Sequence, residues 1–186
     1  MPRFALPRTS RNAACIAVLA LAACGKSEAP APSTAASTAG SATKVGYDVR
    51  RLRPRNEEPL AAMFERMREQ ALAEGKIVAV LFSADWCEPC RRLDLELGNM
   101  HAASDIGHVR ILEMKEEDWE AVTRMNEVNE LRRRFGASVD EYPVLIVLDA
   151  RGERVEEMKQ AIERLESENR EPTLATWLRE HRPAGA

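Results

Sequence analysis

A Cys-x-x-Cys pair between an apolar run and a helical pattern constrains this chain more than any other feature. Residues 77–82 are apolar throughout, which is typical of a strand covered on both faces. Cys87 and Cys90 follow, at the expected start of a helix. Unpaired N–H groups and the helix dipole favour a thiolate on Cys87 there. Cys90 falls on the same face of the first turn, so the pair predicts reversible disulfide chemistry.

The surrounding patterns predict alternating helices and strands. Asn56 and Pro59 mark the start of an amphipathic helix that ends at Gly75. Residues 109–114 alternate between apolar and polar, which predicts a strand with one exposed face. An acidic turn then predicts a long helix that ends near Phe135. A buried strand, a hairpin and a closing helix are predicted at 144–148, 149–157 and from Pro172 onward.

Two motifs in this order resemble the thioredoxin superfamily. Trp86-Cys87-Glu88-Pro89-Cys90 matches the active-site motif of that family, Trp-Cys-x-Pro-Cys. Tyr142-Pro143, followed by an apolar strand and a turn, resembles the family's cis-proline motif. The resemblance covers roughly residues 47–158. It implies an α/β fold of the thioredoxin type, with a mixed central sheet of four or five strands and helices on both faces.

The resemblance also implies roles for particular residues. Cys87 is the expected nucleophile and Cys90 the resolving thiol. Trp86 is expected to shield the sulfurs, while Glu88 and Pro89 tune the redox potential. The backbone of Tyr142 beside Pro143 is expected to dock the substrate chain. No cofactor is implied other than the Cys87–Cys90 disulfide, and no histidine has metal-ligand spacing.

The chain departs from the family at Leu81, where many thioredoxins place a buried acid that takes the proton of the resolving thiol. We expect water to replace it, or a nearby acid such as Glu88 or Asp85 to act less directly. The connection 115–140 is longer than in minimal thioredoxins. It predicts either an extra helix on the sheet or a surface that selects partners.

The N-terminus predicts export and a lipid anchor. A basic start and the apolar residues 15–23 are typical of a signal peptide. Leu21-Ala22-Ala23-Cys24-Gly25 resembles a bacterial lipobox, which implies cleavage before Cys24 and lipid on its sulfur. An ordinary secretory signal is the alternative. Gly25 is not the Asp that retains many lipoproteins at the inner membrane, so a periplasmic location at the outer membrane is favoured.

These features divide the chain into three parts. We predict a signal peptide over 1–23, and a lipidated Cys24 with a flexible tether rich in Ala, Ser, Thr and Pro over 24–46. A thioredoxin-like domain is predicted over 47–183. All 30 acidic residues but only 24 of the 27 basic ones follow Cys24, which gives the processed chain a net charge of −6. No basic stripe with aromatic residues is present, so nucleic-acid binding is disfavoured.

The processed domain keeps only Cys87 and Cys90, whose loop is too short for a useful structural staple. Taken together, the sequence predicts a membrane-anchored thiol–disulfide oxidoreductase that acts on periplasmic protein thiols and disulfides. The reductase direction is favoured and would require a membrane conductor of reductant. The alternative is a lipid-tethered assembly factor with the same fold and no redox turnover.

Overall fold

A computed structural model describes residues 43–183 of the 186-residue chain. The predicted signal peptide, Cys24 and most of the predicted tether lie outside the described residues. The predicted end of that tether at residue 46 is wrong, because Lys44–Gly46 forms strand β1 and pairs antiparallel with β4 (Met100–Ala102). Backbone hydrogen bonds therefore order the chain three residues before the predicted domain boundary. Within 43–183 no helix has the length and apolar character needed to cross a bilayer.

The core is a five-stranded mixed sheet in the order β2-β5-β3-β6-β7. Its strands are β2 (Asp48–Arg51), β3 (Ile77–Ser83), β5 (Val109–Lys115), β6 (Val144–Leu148) and β7 (Arg154–Glu157). The first three run parallel, and β6 and β7 pair antiparallel. The predicted mixed α/β sheet is confirmed, and the apolar strand β3 lies at its centre as its sequence requires.

Helices cover both faces of this sheet. One face carries α1 (Leu60–Ala73), α4 (Glu116–Glu120) and α5 (Met125–Arg134). The other carries α2 (Glu88–Leu97), α3 (Ala103–Ile106), α6 (Met158–Ser167) and α7 (Leu174–Glu180). The two apolar clusters on either side of the sheet make the predicted three-layer arrangement.

Strand β5 corrects the prediction of one exposed face, because all seven of its residues are buried. It lies between β2 and β3, so both of its faces are covered. Its polar side chains find partners instead of water: Arg110 pairs with Asp48 and Glu74. The alternation of apolar and polar residues showed which side chains of β5 share a face, but it did not show that both faces are buried.

The predicted long helix after residue 115 is also wrong, because it consists of two helices, α4 and α5. Thr123 has a φ of 56°, a left-handed conformation that breaks the helix between them. Val122, which a continuous helix would place on the same buried face as Trp119, is consequently exposed. Trp119 and Leu131 are buried against the sheet, so this connection does supply the extra helical cover that was predicted.

The C-terminal part follows the prediction except at one helix. The hairpin from β6 to β7 forms, and α7 buries Leu174, Trp177 and Leu178 as its spacing requires. Residues 158–167, which carry many charges, form α6 and bury Ala161 and Leu165. The sequence did not predict this helix, because only two of its ten side chains are fully buried.

Candidate active site

The two cysteines lie at the first turn of α2, directly after the central strand. Cys87 is the N-cap residue, and its sulfur accepts a hydrogen bond from the backbone N–H of Cys90 at 3.2 Å. The pair forms a disulfide with 5.2 Å between the Cα atoms, and both residues are buried. Pro89 occupies the first turn, where a missing N–H costs nothing. The predicted location of the pair at a helix N-terminus is confirmed.

The second predicted motif lies against the first. The Tyr142–Pro143 peptide bond is cis, as the motif predicted. The Tyr142 side chain packs on the small cluster that Ala84 forms with the two cysteines. The indole of Trp86 meets the Tyr142 ring edge to face, with 5.5 Å between the ring centroids, and remains 62% exposed. Residues more than fifty positions apart in the chain therefore form one site.

The acids that flank the nucleophile are paired with cations. Lys115 Nζ, at the end of β5, donates to Asp85 at 2.8 Å and to Asp94 on α2 at 3.0 Å. The hydrogen bond from Lys115 lowers the pKa of Asp85, which therefore stays ionised. Glu88 is exposed and pairs with Arg91. These pairs offset much of the negative charge that the sequence places beside Cys87.

A buried acid does lie beneath α2, on the predicted strand β5, at a position that the sequence did not single out. Glu113 of β5 is the register partner of Leu81 in the parallel pair with β3, and it is only 6% exposed. Its carboxylate accepts a hydrogen bond from Ser83 Oγ at 2.9 Å. Burial raises the pKa of Glu113, since removing a carboxylate from water disfavours its charged form. Asp85 and Glu88, the expected substitutes for the missing acid, are instead exposed and engaged in ion pairs.

Sequence reasoning missed Glu113 and Lys115, although one signal was available. Glu113 lies between two apolar residues of the strand, and Lys115 is the last residue of the strand, next to a run of acids. Because partners in a parallel pair project on the same face, a charged residue opposite Leu81 lies on the face that α2 covers. The strand register, which the sequence did not provide, is what identifies them.

The described part of the chain offers little for a metal. Among residues 43–183, no three His, Cys, Asp or Glu side chains are grouped so as to hold a metal ion. The three histidines lie elsewhere, at Glu96, at the carbonyl of Leu178 and near Glu156. The chemistry that the site can perform with its own residues is the making and breaking of a sulfur–sulfur bond.

One family model and several solved structures are similar to this chain. A family model described as a thioredoxin-like domain matches residues 64–167. Thioredoxin NaTrxh from Nicotiana alata is 18% identical, with 68% of this chain and 96% of that chain covered and a TM-score of 0.43. The disulphide isomerase from Xylella fastidiosa Temecula1 is 21% identical, with 69% and 93% covered and a TM-score of 0.42. No curated protein matches the chain.

The family match includes the whole cysteine site and the cis-proline segment. It spans 104 of the 186 residues, from the middle of α1 to the end of α6. The chain therefore belongs to the thioredoxin-like domain family.

Proposed function

We propose that this protein is a thiol–disulfide oxidoreductase that acts on protein disulfides through the Cys87–Cys90 pair. In the reductase direction the Cys87 thiolate attacks a partner disulfide, forms a mixed disulfide and releases one partner sulfur as a thiolate. The Cys90 sulfur then attacks Cys87 Sγ and releases the second partner thiol. Two electrons pass to the partner, and Cys87–Cys90 becomes oxidised. A dithiol reductant must reduce the pair again before the next turnover.

The observation that supports this proposal most strongly is the contact between the two motifs in the folded chain. A vicinal cysteine pair caps a helix N-terminus, which stabilises a thiolate, and the Tyr142–Pro143 segment packs directly against it. An extended substrate segment that pairs with the Tyr142 backbone would bring its disulfide next to Cys87. Trp86, exposed beside Tyr142, then covers the partner's sulfurs, and Glu88 and Pro89 adjust the potential of the first turn.

We propose that the Glu113 carboxylate accepts the proton of the resolving thiol, Cys90. The carboxylate lies on the face of the sheet that α2 covers, where Leu93 of the same helix is also buried. Because its pKa is raised by burial, it is a stronger base than an ordinary surface carboxylate. Ser83 fixes its orientation through the hydrogen bond at 2.9 Å. This role replaces the one that the family resemblance gives to an acid at the position of Leu81.

The location is proposed from the N-terminal sequence alone. A lipobox-like segment before Cys24 supports export to the periplasm and a lipid anchor, with the outer membrane favoured. In that oxidising compartment the reductase direction requires a membrane conductor of electrons. Substitution of Cys24 by Ser should release the protein from membranes to the soluble fraction without changing the redox properties of Cys87–Cys90. If the variant stays with the membrane, the proposed anchor is wrong.

Trapping tests the exchange itself. Without Cys90 the mixed disulfide cannot be resolved, so a Cys90→Ser variant should accumulate covalent complexes that dithiothreitol releases. Cys87→Ser is the matched control, since it keeps one thiol but loses the nucleophile, and it should trap nothing. Reduction of insulin by the wild-type protein should disappear in both variants. Binding of partners by a wild-type protein that never reduces insulin would instead support the tethered assembly factor.

A further inference from the structure

Arg132 of α5 is buried in an unusual way for an arginine. Its side chain is fully buried, yet it forms no ion pair with any carboxylate of the described residues 43–183. Its terminal nitrogens donate to the backbone carbonyls of Ser138 and Glu141. Its Nε has no hydrogen-bond partner within the same range. The guanidinium is thus a buried cation whose hydrogen-bond donors are only partly satisfied by the described residues.

Two aromatic faces complete its surroundings. The guanidinium carbon lies 4.7 Å from the centroid of the Phe82 ring and 4.2 Å from that of Tyr142. Such cation–π contacts offset part of the cost of burial. Burial lowers the pKa of Arg132, but an arginine remains protonated at neutral pH. The Tyr142 phenol stays neutral, since burial and Glu116 raise its pKa to about 12.

Stability alone does not account for a charge at this position. An apolar side chain of similar volume would fill the same space without the cost of desolvation. What distinguishes Arg132 is its location relative to the cysteines. The Tyr142 side chain contacts both the guanidinium and the cluster of Ala84, Cys87 and Cys90. A single aromatic residue therefore connects the buried cation to the cysteine cluster.

We propose that Arg132 is a positioning residue for thiol–disulfide exchange. Its buried charge beside the Tyr142 ring favours the anionic form of Cys87, and its donated hydrogen bonds hold the backbone that precedes Pro143. This inference rests on the proposed function and adds a residue to it that neither motif contains.

The neighbouring charges do not supply this effect. Two of the acids near Cys87 are paired, Asp85 with Lys115 and Glu88 with Arg91, and all but the lysine are exposed to solvent. Solvent screens such pairs strongly. A third, Glu117, accepts a hydrogen bond from the Asp85 backbone N–H and opposes a thiolate on Cys87. Glu116 and Asp140 lie near Arg132, but neither forms an ion pair with it in the described part of the chain. These two acids offset part of the Arg132 charge, and no ion pair neutralises it directly within residues 43–183.

A single buried charge at this location should change the thiolate equilibrium of Cys87 by about tenfold. A more stable thiolate stabilises the reduced pair. Neutralising Arg132 should therefore lower the ratio of reduced to oxidised protein by about tenfold, which makes the potential about 30 mV more negative. The difference should exist only above the pKa of Cys87. At lower pH the reduced protein carries no thiolate in either variant.

Two neutral substitutions separate the charge from the hydrogen bonds. Arg132→Gln removes the charge but can still donate to the carbonyls, whereas Arg132→Met removes both. Arg134→Gln is the matched control, because Arg134 lies on the same helix, stacks on Phe64 and Phe135, and is partly exposed. For each protein we would measure the potential of the pair across pH, the thiolate absorbance of Cys87, and kcat and KM for a protein disulfide.

We expect both Arg132 variants to shift the potential and the thiolate titration equally, with a larger rise in KM for the Met variant. Arg134→Gln should match the wild type. A potential in Arg132→Gln that equals the wild-type value at every pH overturns the inference, as does a shift of equal size at all pH values, which would indicate a purely structural role. A wild-type pair that cannot be reduced and reoxidised would overturn the proposed function itself.

Discussion

Replacing Glu113 by Gln should stabilise this protein and impair it at the same time. Glu113 is 6% exposed, and its carboxylate accepts a hydrogen bond from Ser83 Oγ. Gln has nearly the same shape and can accept that bond, so the substitution removes a buried charge and leaves the packing intact. Lys115, a cation on the same face of β5, is already paired with Asp85 and Asp94.

The pKa of Glu113 gives the sign and the pH range. Burial raises it above the value in the unfolded chain, so the unfolded state releases the proton more readily. The wild-type stability that depends on the neutral form is complete below the unfolded pKa and is lost as pH rises through the folded pKa. Each unit of such a shift corresponds to about 1.4 kcal/mol. We therefore expect Glu113→Gln to raise the free energy of unfolding by about 1–2 kcal/mol at about pH 8, and by close to zero below about pH 4.

The catalytic effect has the opposite sign. If Glu113 accepts the proton of Cys90, its loss should slow the release of a partner from the mixed disulfide by about a hundredfold. The first step, attack by Cys87, should keep its rate. Stability is measured by urea unfolding of the oxidised protein at several pH values, and the two steps by stopped-flow mixing of reduced protein with a fluorescent disulfide peptide. Glu166→Gln, on the exposed face of α6, is the control and should change neither.

The two measurements separate the possible errors in this reasoning. A loss of stability at about pH 8 would mean that the carboxylate is better solvated than its burial indicates. A gain in stability with an unchanged rate of partner release would mean that Glu113 is a buried acid with no part in exchange. Only the combination of greater stability and slower release supports the assignment.

Two further substitutions probe the charges around the sheet. Lys115→Met should leave Asp85, before α2, and Asp94, within it, without their cation. Because both carboxylates are partly exposed, we expect a loss of about 1 kcal/mol of unfolding free energy in urea titrations, and an unchanged midpoint would refute the bridging role of Lys115. At Asp48 burial would raise the pKa, but hydrogen bonds from Lys76 and Arg110 outweigh it and lower the pKa. Wild-type stability is therefore lost as pH falls through the folded pKa, and Asp48→Asn should cost about 1–3 kcal/mol at neutral pH and flatten the acid limb of the stability curve.

The elements that the sequence predicted well are those whose signal is local. Cys87 and Cys90 were placed at a helix start because the apolar strand and the capping position are contiguous in the chain. Tyr142-Pro143 was found in the same way. Strand β3 is apolar on both faces, which only a central strand tolerates, so its position in the sheet also followed from its own residues.

The elements that it predicted poorly depend on distant partners. Arg110 lies in a buried strand because Asp48 and Glu74, 62 and 36 residues away, meet its guanidinium. Arg132 begins a run of three arginines, and nothing in that run indicates that Tyr142 and Phe82 cover its first member. A charged side chain carries the same local signal whether it faces solvent or a buried partner. The pattern of β5 therefore predicted an exposed face, since most charged side chains do lie at the surface.

An acid at Glu113 can take the place of the family's acid at the position of Leu81 because of the geometry of parallel strands. Register partners in neighbouring strands project on the same face and are separated by only about 4.8 Å, so an acid on either strand lies beneath the same helix. An acid on β5 lies two residues from Lys115 and on the same face of the sheet. The Lys115 ammonium in turn forms an ion pair with Asp94 of α2. Strand β5 then carries both the proposed proton acceptor and the lysine that contacts the helix bearing the sulfurs. The absence of an acid before the first cysteine therefore does not argue against exchange chemistry in this chain, because the sheet supplies one from the adjacent strand.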